Sequence, residues 1–192
     1  MTIYYWFISG LWLAFMAYWA IAACSAKRSI GGARAWWREI LLRLGVLVLV
    51  LLALRYSVFG HALRNLRLHA VNTSVLLGLV GSALCAFGLG LAIAARVYLG
   101  RNWGMPMSRK ESPELVSTGP YAFVRHPIYT GMLLAMLGSA IGQSMFWLLP
   151  LIFFGTYFIY SARCEERLLT EQFPDQYPAY MHRTMMLLPF VL

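Results

Sequence analysis

Five side chains in the second half of the chain combine chemistry-bearing types with telling positions. Arg125, His126 and Tyr129 lie in STGPYAFVRHPIYTG (Ser117 to Gly131), and Glu165 and Glu166 lie in the run Arg163-Cys164-Glu165-Glu166. From Pro127 to Ala162 the chain carries no Asp, Glu, Lys or Arg. Ionisable groups bordering such a stretch are costly in an apolar setting and are functional candidates for that reason. Adjacent glutamates on a helix point about 100° apart and cannot face one site equally. One can meet a cationic ligand while the other pairs with a basic side chain. A solvated ion-pair cluster, with Arg163 and Glu166 at i, i+3, is the competing reading of the same residues. His126 is equally open between capping a helix and serving a site. No second His stands at metal-ligand spacing, so no metal site is expected, and no glycine-rich phosphate loop is present.

The elements that must position these residues are apolar helices. The chain has 192 residues, of which 60% are hydrophobic and 12% charged. Ile3 to Cys24 and Val71 to Ala95 carry no charge, and each is long enough to cross a hydrocarbon core, which needs about 20 helical residues. Ile40 to Phe59 is a third such stretch, with Arg43 and Arg55 near its ends, where they can snorkel. The first run lacks a basic start and a cleavage site, and reads as a retained span rather than a leader. Pro127 to Ala162, turning at Gly142-Gln143-Ser144, makes two further helices, both short because two full crossings take about 40 residues. Pro127 suits the first turn of the fourth helix, where a missing N–H costs nothing.

The formal net charge is +9, but its placement argues against a nucleic-acid partner. Lys27, Arg28, Arg34 and Arg38 follow the first span, and Arg96, Arg101, Arg109, Lys110 and Arg125 follow the third. These are the loops that a positive-inside orientation puts in the cytoplasm. The expected fold is therefore an all-α, polytopic integral membrane protein of about five transmembrane helices. Its amphipathic C-terminal tail, Arg163 to Leu192, is broken by Pro174 and Pro178 and lies on the cytoplasmic side with the 96–125 loop. Residues 1–70 form a two-span region and 71–192 a core that carries both polar clusters. Gly78, Ser82, Ala86, Gly90 and Ala94 recur at a spacing of four, and Gly131, Ala135 and Ser139 form a second stripe. Small residues let membrane helices approach closely, so spans three and four are expected to pack along these stripes. The three cysteines support neither a disulfide framework nor a zinc site.

GPYAFVRHPIYTG, the later Glu165-Glu166 pair and FPDQYPAY together resemble the isoprenylcysteine carboxyl methyltransferase family and its bacterial relatives. LGRNW (Leu99 to Trp103) and ELV (Glu114 to Val116) are similar to that family as well. The resemblance covers about Arg96 to Pro189. It implies S-adenosylmethionine as cofactor, with contacts falling on Leu115, Val116, Tyr121, His126, Pro127, Ile128, Tyr129 and Glu165. Arg125 then holds the methionine carboxylate or the ends of loops, and Tyr121 and Tyr129 pack the adenine or the cationic sulfur. Arg163, Glu165 and Glu166 are the implied catalytic residues. Methyl transfer to a carboxylate needs alignment and desolvation rather than a strong base, since that nucleophile is already ionised at neutral pH.

The family-type acceptor is a prenylated-cysteine carboxylate, delivered from the membrane to a site on the cytoplasmic face of a bacterial inner membrane. A phospholipid, lipid amine or thiol acceptor stays open. The chain departs from the family pattern at Ser161, where the family has an arginine associated with the substrate, and at Pro113 and Pro174. Two other classes compete: a nicotinamide-dependent reductase of the sterol-reductase type, which carries a similar Arg-His-Pro step followed by Asn, and a non-enzymatic transporter or assembly subunit. The first expects Asn at Ile128 and a longer chain; the second expects polar residues at mid-span.

Overall fold

The computed structural model describes residues 3–23, 72–100 and 115–187. Among the described residues there are five α-helices: α1 (Ile3–Ala23), α2 (Val75–Leu99), α3 (Pro127–Gly142), α4 (Leu148–Gln172) and α5 (Tyr177–Met181). Short 3-10 turns cover Gly119–Ala122 and Met145–Trp147. The β-structure among these residues is a single isolated bridge between Val124 and Met185. Helices α1, α2 and α4 are long and apolar enough to cross a membrane, and α3 is a shorter apolar helix between them. The expected second span, Ile40 to Phe59, and the upstream LGRNW residues beyond Gly100 lie outside the described residues.

The tightest packing joins α2 to α3. A Cβ at Gly88 would lie 2.5 Å from both the Ala135 nitrogen and the Gly131 carbonyl oxygen; one at Gly138 would lie 2.5 Å from the Cys85 nitrogen. Backbone therefore meets backbone, which only small residues permit. The expected pairing of these two helices is present, and the Gly131, Ala135 and Ser139 stripe is buried in it. The stripe on α2 differs from expectation. Its buried positions are Gly78, Gly81, Ser82, Cys85, Gly88, Leu89, Ala92, Ala95 and Arg96, whereas Gly90 has open space around it. Steps of four residues advance about 40° beyond a full turn each time, so a strict spacing of four walks off the face. Alternating steps of three and four stay on it.

Helix α1 lies against this pair and runs parallel to α2. Tyr4 packs on Gly78 near the start of α2, while Arg96, near its end, donates to the Ala22 carbonyl at 2.8 Å and to Gly100 at 2.7 Å. The α3–α4 turn is locked to α1 by polar contacts. Gln143 Nε2 donates to Ser9 Oγ at 2.8 Å and to the Tyr5 carbonyl at 3.2 Å. Trp12 donates to Ser139 Oγ at 2.9 Å and stacks on Trp147 at 5.1 Å. Asn72 Nδ2 bonds the Ile141 carbonyl at the same end. The starts of α1, α2 and α4 thus share one face with the end of α3, and both polar clusters of the sequence sit at the other.

The expected tail begins later than Arg163. Helix α4 continues without a break to Gln172, because no Pro or Gly stands between Arg163 and Pro174. Phe173, the residue before that proline, leaves the helical region with φ −129° and ψ 62°, as the proline ring demands of its neighbour. Beyond α5 the chain folds back on the start of α3. Arg125 N donates to Met185 O at 2.8 Å, His126 N to Met186 O at 3.1 Å, and Met185 N to Phe123 O at 3.3 Å. Met186 and Leu187 bury their side chains with Ala162 against Tyr129 and Ile159.

Candidate functional site

Pro127 opens α3 and His126 is its N-cap, so the Arg-His-Pro step places the cation and the imidazole just outside the first turn. Three residues on, Tyr129 projects from the same end of the helix toward α4. Gly119 sets up the approach: its φ of +59° is left-handed, and a Cβ there would collide with the Tyr98 ring. The chain can turn over Tyr98 and enter the Gly119–Ala122 segment only with glycine at that position.

The two glutamates of α4 take different partners. Glu166 Oε1 accepts from Arg125 Nε at 2.6 Å and lies 3.4 Å from His126 Nε2, outside hydrogen-bond geometry. Glu165 Oε1 accepts from the Tyr129 hydroxyl at 2.5 Å and from Ser161 Oγ at 3.1 Å, while its Oε2 lies 3.7 Å from His126 Nδ1. His126 is thus flanked by both carboxylates. It is 7% exposed, and its Nε2 has no hydrogen-bond partner among the described residues. Tyr129 is stacked with His126 at 5.5 Å and with Phe158 at 4.5 Å. The ring is held by stacking within the protein, and what it offers the site is its edge hydroxyl rather than a face for an adenine or a sulfonium.

Arg125 is engaged within the protein through Nε and Nη1. Besides Glu166 it donates to the carbonyls of Met181 and Thr184, so its guanidinium ties the last segment of the chain to α4. Of the two functions expected for it, holding the ends of loops is the one its contacts display. Tyr121 is buried, and its carbonyl accepts from the Tyr180 hydroxyl at 2.6 Å. Burial pushes the Tyr180 hydroxyl up to about 12, and burial likewise raises those of Tyr121 and Tyr177, with Glu165 and Glu166 respectively adding to the effect. These phenols stay neutral throughout the physiological range.

The structure gathers Arg125, His126, Tyr129, Glu165 and Glu166 into one cluster, with buried Pro127 and half-buried Ile128 on the first turn of α3. Leu115 and Val116 are half-buried on the segment leading to Gly119. Arg163 is not brought to the cluster. It is exposed, about 200° around α4 from Ser161, and Glu166 pairs with Arg125 in its place. Sequence reasoning undervalued Ser161, treated only as a missing arginine. It is fully buried and lies one turn before Glu165 on the same helix face. That i, i+4 spacing was the available signal.

This arrangement, on a bundle of apolar helices, coincides with a sequence family. The profile of the phospholipid methyltransferase family matches residues 76–176, from the start of α2 to just past α4. The chain belongs to that family. The family falls within the isoprenylcysteine carboxyl methyltransferase-like superfamily, so the resemblance read from the motifs holds at that broader level. Among individual proteins, this phospholipid methyltransferase family member is 32% identical over 114 residues to the nickel-cobalt-cadmium resistance protein NccN of Alcaligenes xylosoxydans xylosoxydans. That match covers 57% of this chain and 52% of NccN. It is 30% identical over 151 residues to the cobalt-zinc-cadmium resistance protein CzcN of Cupriavidus metallidurans, covering 77% and 63% respectively. The chain thus spans between about half and three-fifths of the length of these relatives.

Proposed function

We infer that this chain is an integral membrane methyltransferase that uses S-adenosylmethionine and acts on a membrane lipid headgroup. The observation that carries the reading is the state of Glu165. One carboxylate oxygen accepts two hydroxyl hydrogen bonds, the other accepts none among the described residues, and the side chain is 26% exposed. A carboxylate with an uncommitted oxygen, at the rim of an apolar bundle, is suited to a cationic small molecule. Family membership supplies the reaction class.

The residues present fit the cofactor. Glu165 would face its positive charge, His126 offers an unpartnered nitrogen for a polar edge, and Leu115, Val116, Tyr121 and Ile128 give apolar surface beside them. Bound S-adenosylmethionine supplies an electrophilic methyl group on a sulfonium. The chain contributes positioning and exclusion of water, the main devices available for such a displacement. With a headgroup amine as acceptor, a proton must leave, and Glu165, with its uncommitted oxygen, is the group proposed to take it. A prenylated-cysteine carboxylate stays the second reading of the acceptor. The family's substrate-associated arginine is replaced by buried Ser161, and Arg163, its expected substitute, is exposed and away from Glu165, which favours the headgroup. The basic residues that follow the first and third spans support a cytoplasm-facing site in a bacterial inner membrane. The metal resistance in the names of the two relatives enters this reading as a setting for lipid modification. Among the described residues no group of three or more His, Cys, Asp or Glu is arranged to hold a metal ion.

Calorimetry on detergent-solubilised protein tests the assignment. S-adenosylmethionine or S-adenosylhomocysteine should bind, and Glu165→Gln should weaken binding of the methyl donor about tenfold, the loss of one charge-assisted contact. Binding of NADPH with no affinity for either compound would return the reductase reading. Transfer of a labelled methyl group into a total-lipid extract rather than a prenylated-cysteine substrate then decides the acceptor.

A further inference from the structure

Helical serines and threonines ordinarily return their hydroxyl to a backbone carbonyl one turn back. Ser139 does so to Ala135 O at 2.8 Å, Thr156 to Ile152 O at 2.6 Å and Thr170 to Glu166 O at 2.7 Å. Ser161 behaves differently. It points forward to Glu165 Oε1 at 3.1 Å and sits 3.2 Å from the Tyr129 hydroxyl, which itself donates to the same oxygen at 2.5 Å. Each hydroxyl has one proton, so both protons can converge on Oε1 and fill its two acceptor sites. Oε2 is then the oxygen with acceptor capacity left, and its near neighbour is His126 Nδ1 at 3.7 Å. The convergence joins two helices at a fully buried serine, so it fixes the carboxylate's rotation about its last bond. An unfixed glutamate side chain of this length has several rotamers open to it.

We propose that Ser161 is a positioning residue: with the Tyr129 hydroxyl it holds Oε1 of Glu165 so that Oε2 faces the positive charge of the bound methyl donor. This rests on the methyltransferase reading above and deepens it by separating the two glutamates. Glu166 is a structural anchor for Arg125 and the end of the chain, and Glu165 is the oriented counter-ion. The positive charge has two sources, the sulfonium and the ammonium of the methionine half, and three ligands distinguish them. S-adenosylmethionine against S-adenosylhomocysteine isolates the sulfonium; S-adenosylhomocysteine against 5′-methylthioadenosine isolates the amino-acid half.

The test is calorimetric affinity for the three ligands in wild type, Ser161→Ala, Tyr129→Phe and Glu165→Gln, with thermal unfolding of each protein alone. Ser161→Ala and Tyr129→Phe should each lower one of the two affinity ratios roughly 3- to 10-fold, the scale of one hydrogen bond to a charged group. Glu165→Gln should lower the same ratio at least as far. A merely structural serine would weaken all three ligands equally and leave both ratios unchanged, which would overturn the proposal even if the variant is less stable. Tyr129→Phe removes the second donor to the same oxygen, so a poorly folded Ser161→Ala does not end the test. A wild type that binds none of the ligands would take down the methyltransferase reading, and this inference with it. A wild type that binds while the ratios stay fixed sinks only the role of Ser161.

Discussion

Gly88 and Gly90 are two residues apart on α2, and alanine at each should have opposite consequences. At Gly88 an added Cβ would sit 2.5 Å from the Ala135 nitrogen and the Gly131 carbonyl oxygen, and 3.1 Å from the Ala135 Cα. Ordinary contact begins near 3.4 Å, so α3 must retreat by about 0.9 Å along its tightest seam, a shift of the kind overpacking forces on a backbone. Neither neighbour is a flexible side chain that can swing aside. Overpacking of this kind costs about 1–3 kcal/mol, and at roughly 2–4 °C per kcal/mol it lowers the unfolding midpoint by about 2–12 °C. The same retreat, at the start of the helix that carries Tyr129, stretches its 2.5 Å bond to Glu165 and should weaken ligand binding. At Gly90 nothing lies within 4 Å, and alanine has the better helix propensity by up to about 1 kcal/mol. Gly90→Ala should therefore match or exceed wild type. Thermal unfolding in one mild detergent, with ligand affinity measured on the same samples, reads both effects. Equal stability of the two variants would refute the assignment of the contact face.

Two further outcomes follow from the site. Arg125→Gln removes the cation from half-buried Glu166 and two bonds from the carbonyls of Met181 and Thr184. Breaking a fully buried pair costs about 3–5 kcal/mol and this half-buried one less, so limited proteolysis should cut near 181–187 sooner than in wild type, an effect Arg163→Gln should not share. Tyr180 has its phenol raised to about 12 by burial, against about 10 for an unfolded chain. A raised folded value means stability is intact below pH ~10 and falls as pH rises through 12, by up to about 2.7 kcal/mol for two units. Alkaline unfolding curves of wild type and Tyr180→Phe should therefore converge above pH ~10, and parallel curves would contradict the assignment to Tyr180.

Much of the scaffold was legible because membrane helices announce themselves by uncharged length, and the turn at Gly142-Gln143-Ser144 and the helix start at Pro127 both stand where the sequence placed them. The Glu165–Glu166 division was legible too, since about 100° of rotation forces two partners on two residues. What was not legible depended on which face a residue takes. The spacing of four on α2 is conspicuous in the sequence, yet the contact follows a three–four alternation through Gly81, Cys85, Gly88 and Ala92. Arg163 looked like the natural partner of Glu166 because local spacing was the only geometry available, whereas Arg125 reaches Glu166 from outside its helix. Ser161 was read by what it lacks, a charge, and its contribution lies in a hydroxyl whose direction no spacing rule specifies.

The unequal lengths of α3 and α4 explain why this polar cluster can work at a membrane. Helix α3 has 16 residues. At about 1.5 Å per residue it rises about 24 Å, less than the ~30 Å of a hydrocarbon core. Along α4, which starts at Leu148, the same rise puts Glu165 about 26 Å from the start of its helix. Both helices are pinned at the far end, where Gln143 bonds to α1 and Trp147 stacks on Trp12. His126 and Glu165 therefore reach about the same height along the bundle, while α4 runs two further turns beyond them. Both side chains are partly shielded from water there, so the effective dielectric falls below that of water and a carboxylate attracts a cation more strongly. The same shielding makes an uncompensated carboxylate expensive, which is why Glu165 has two hydroxyls on one oxygen and Glu166 has a guanidinium.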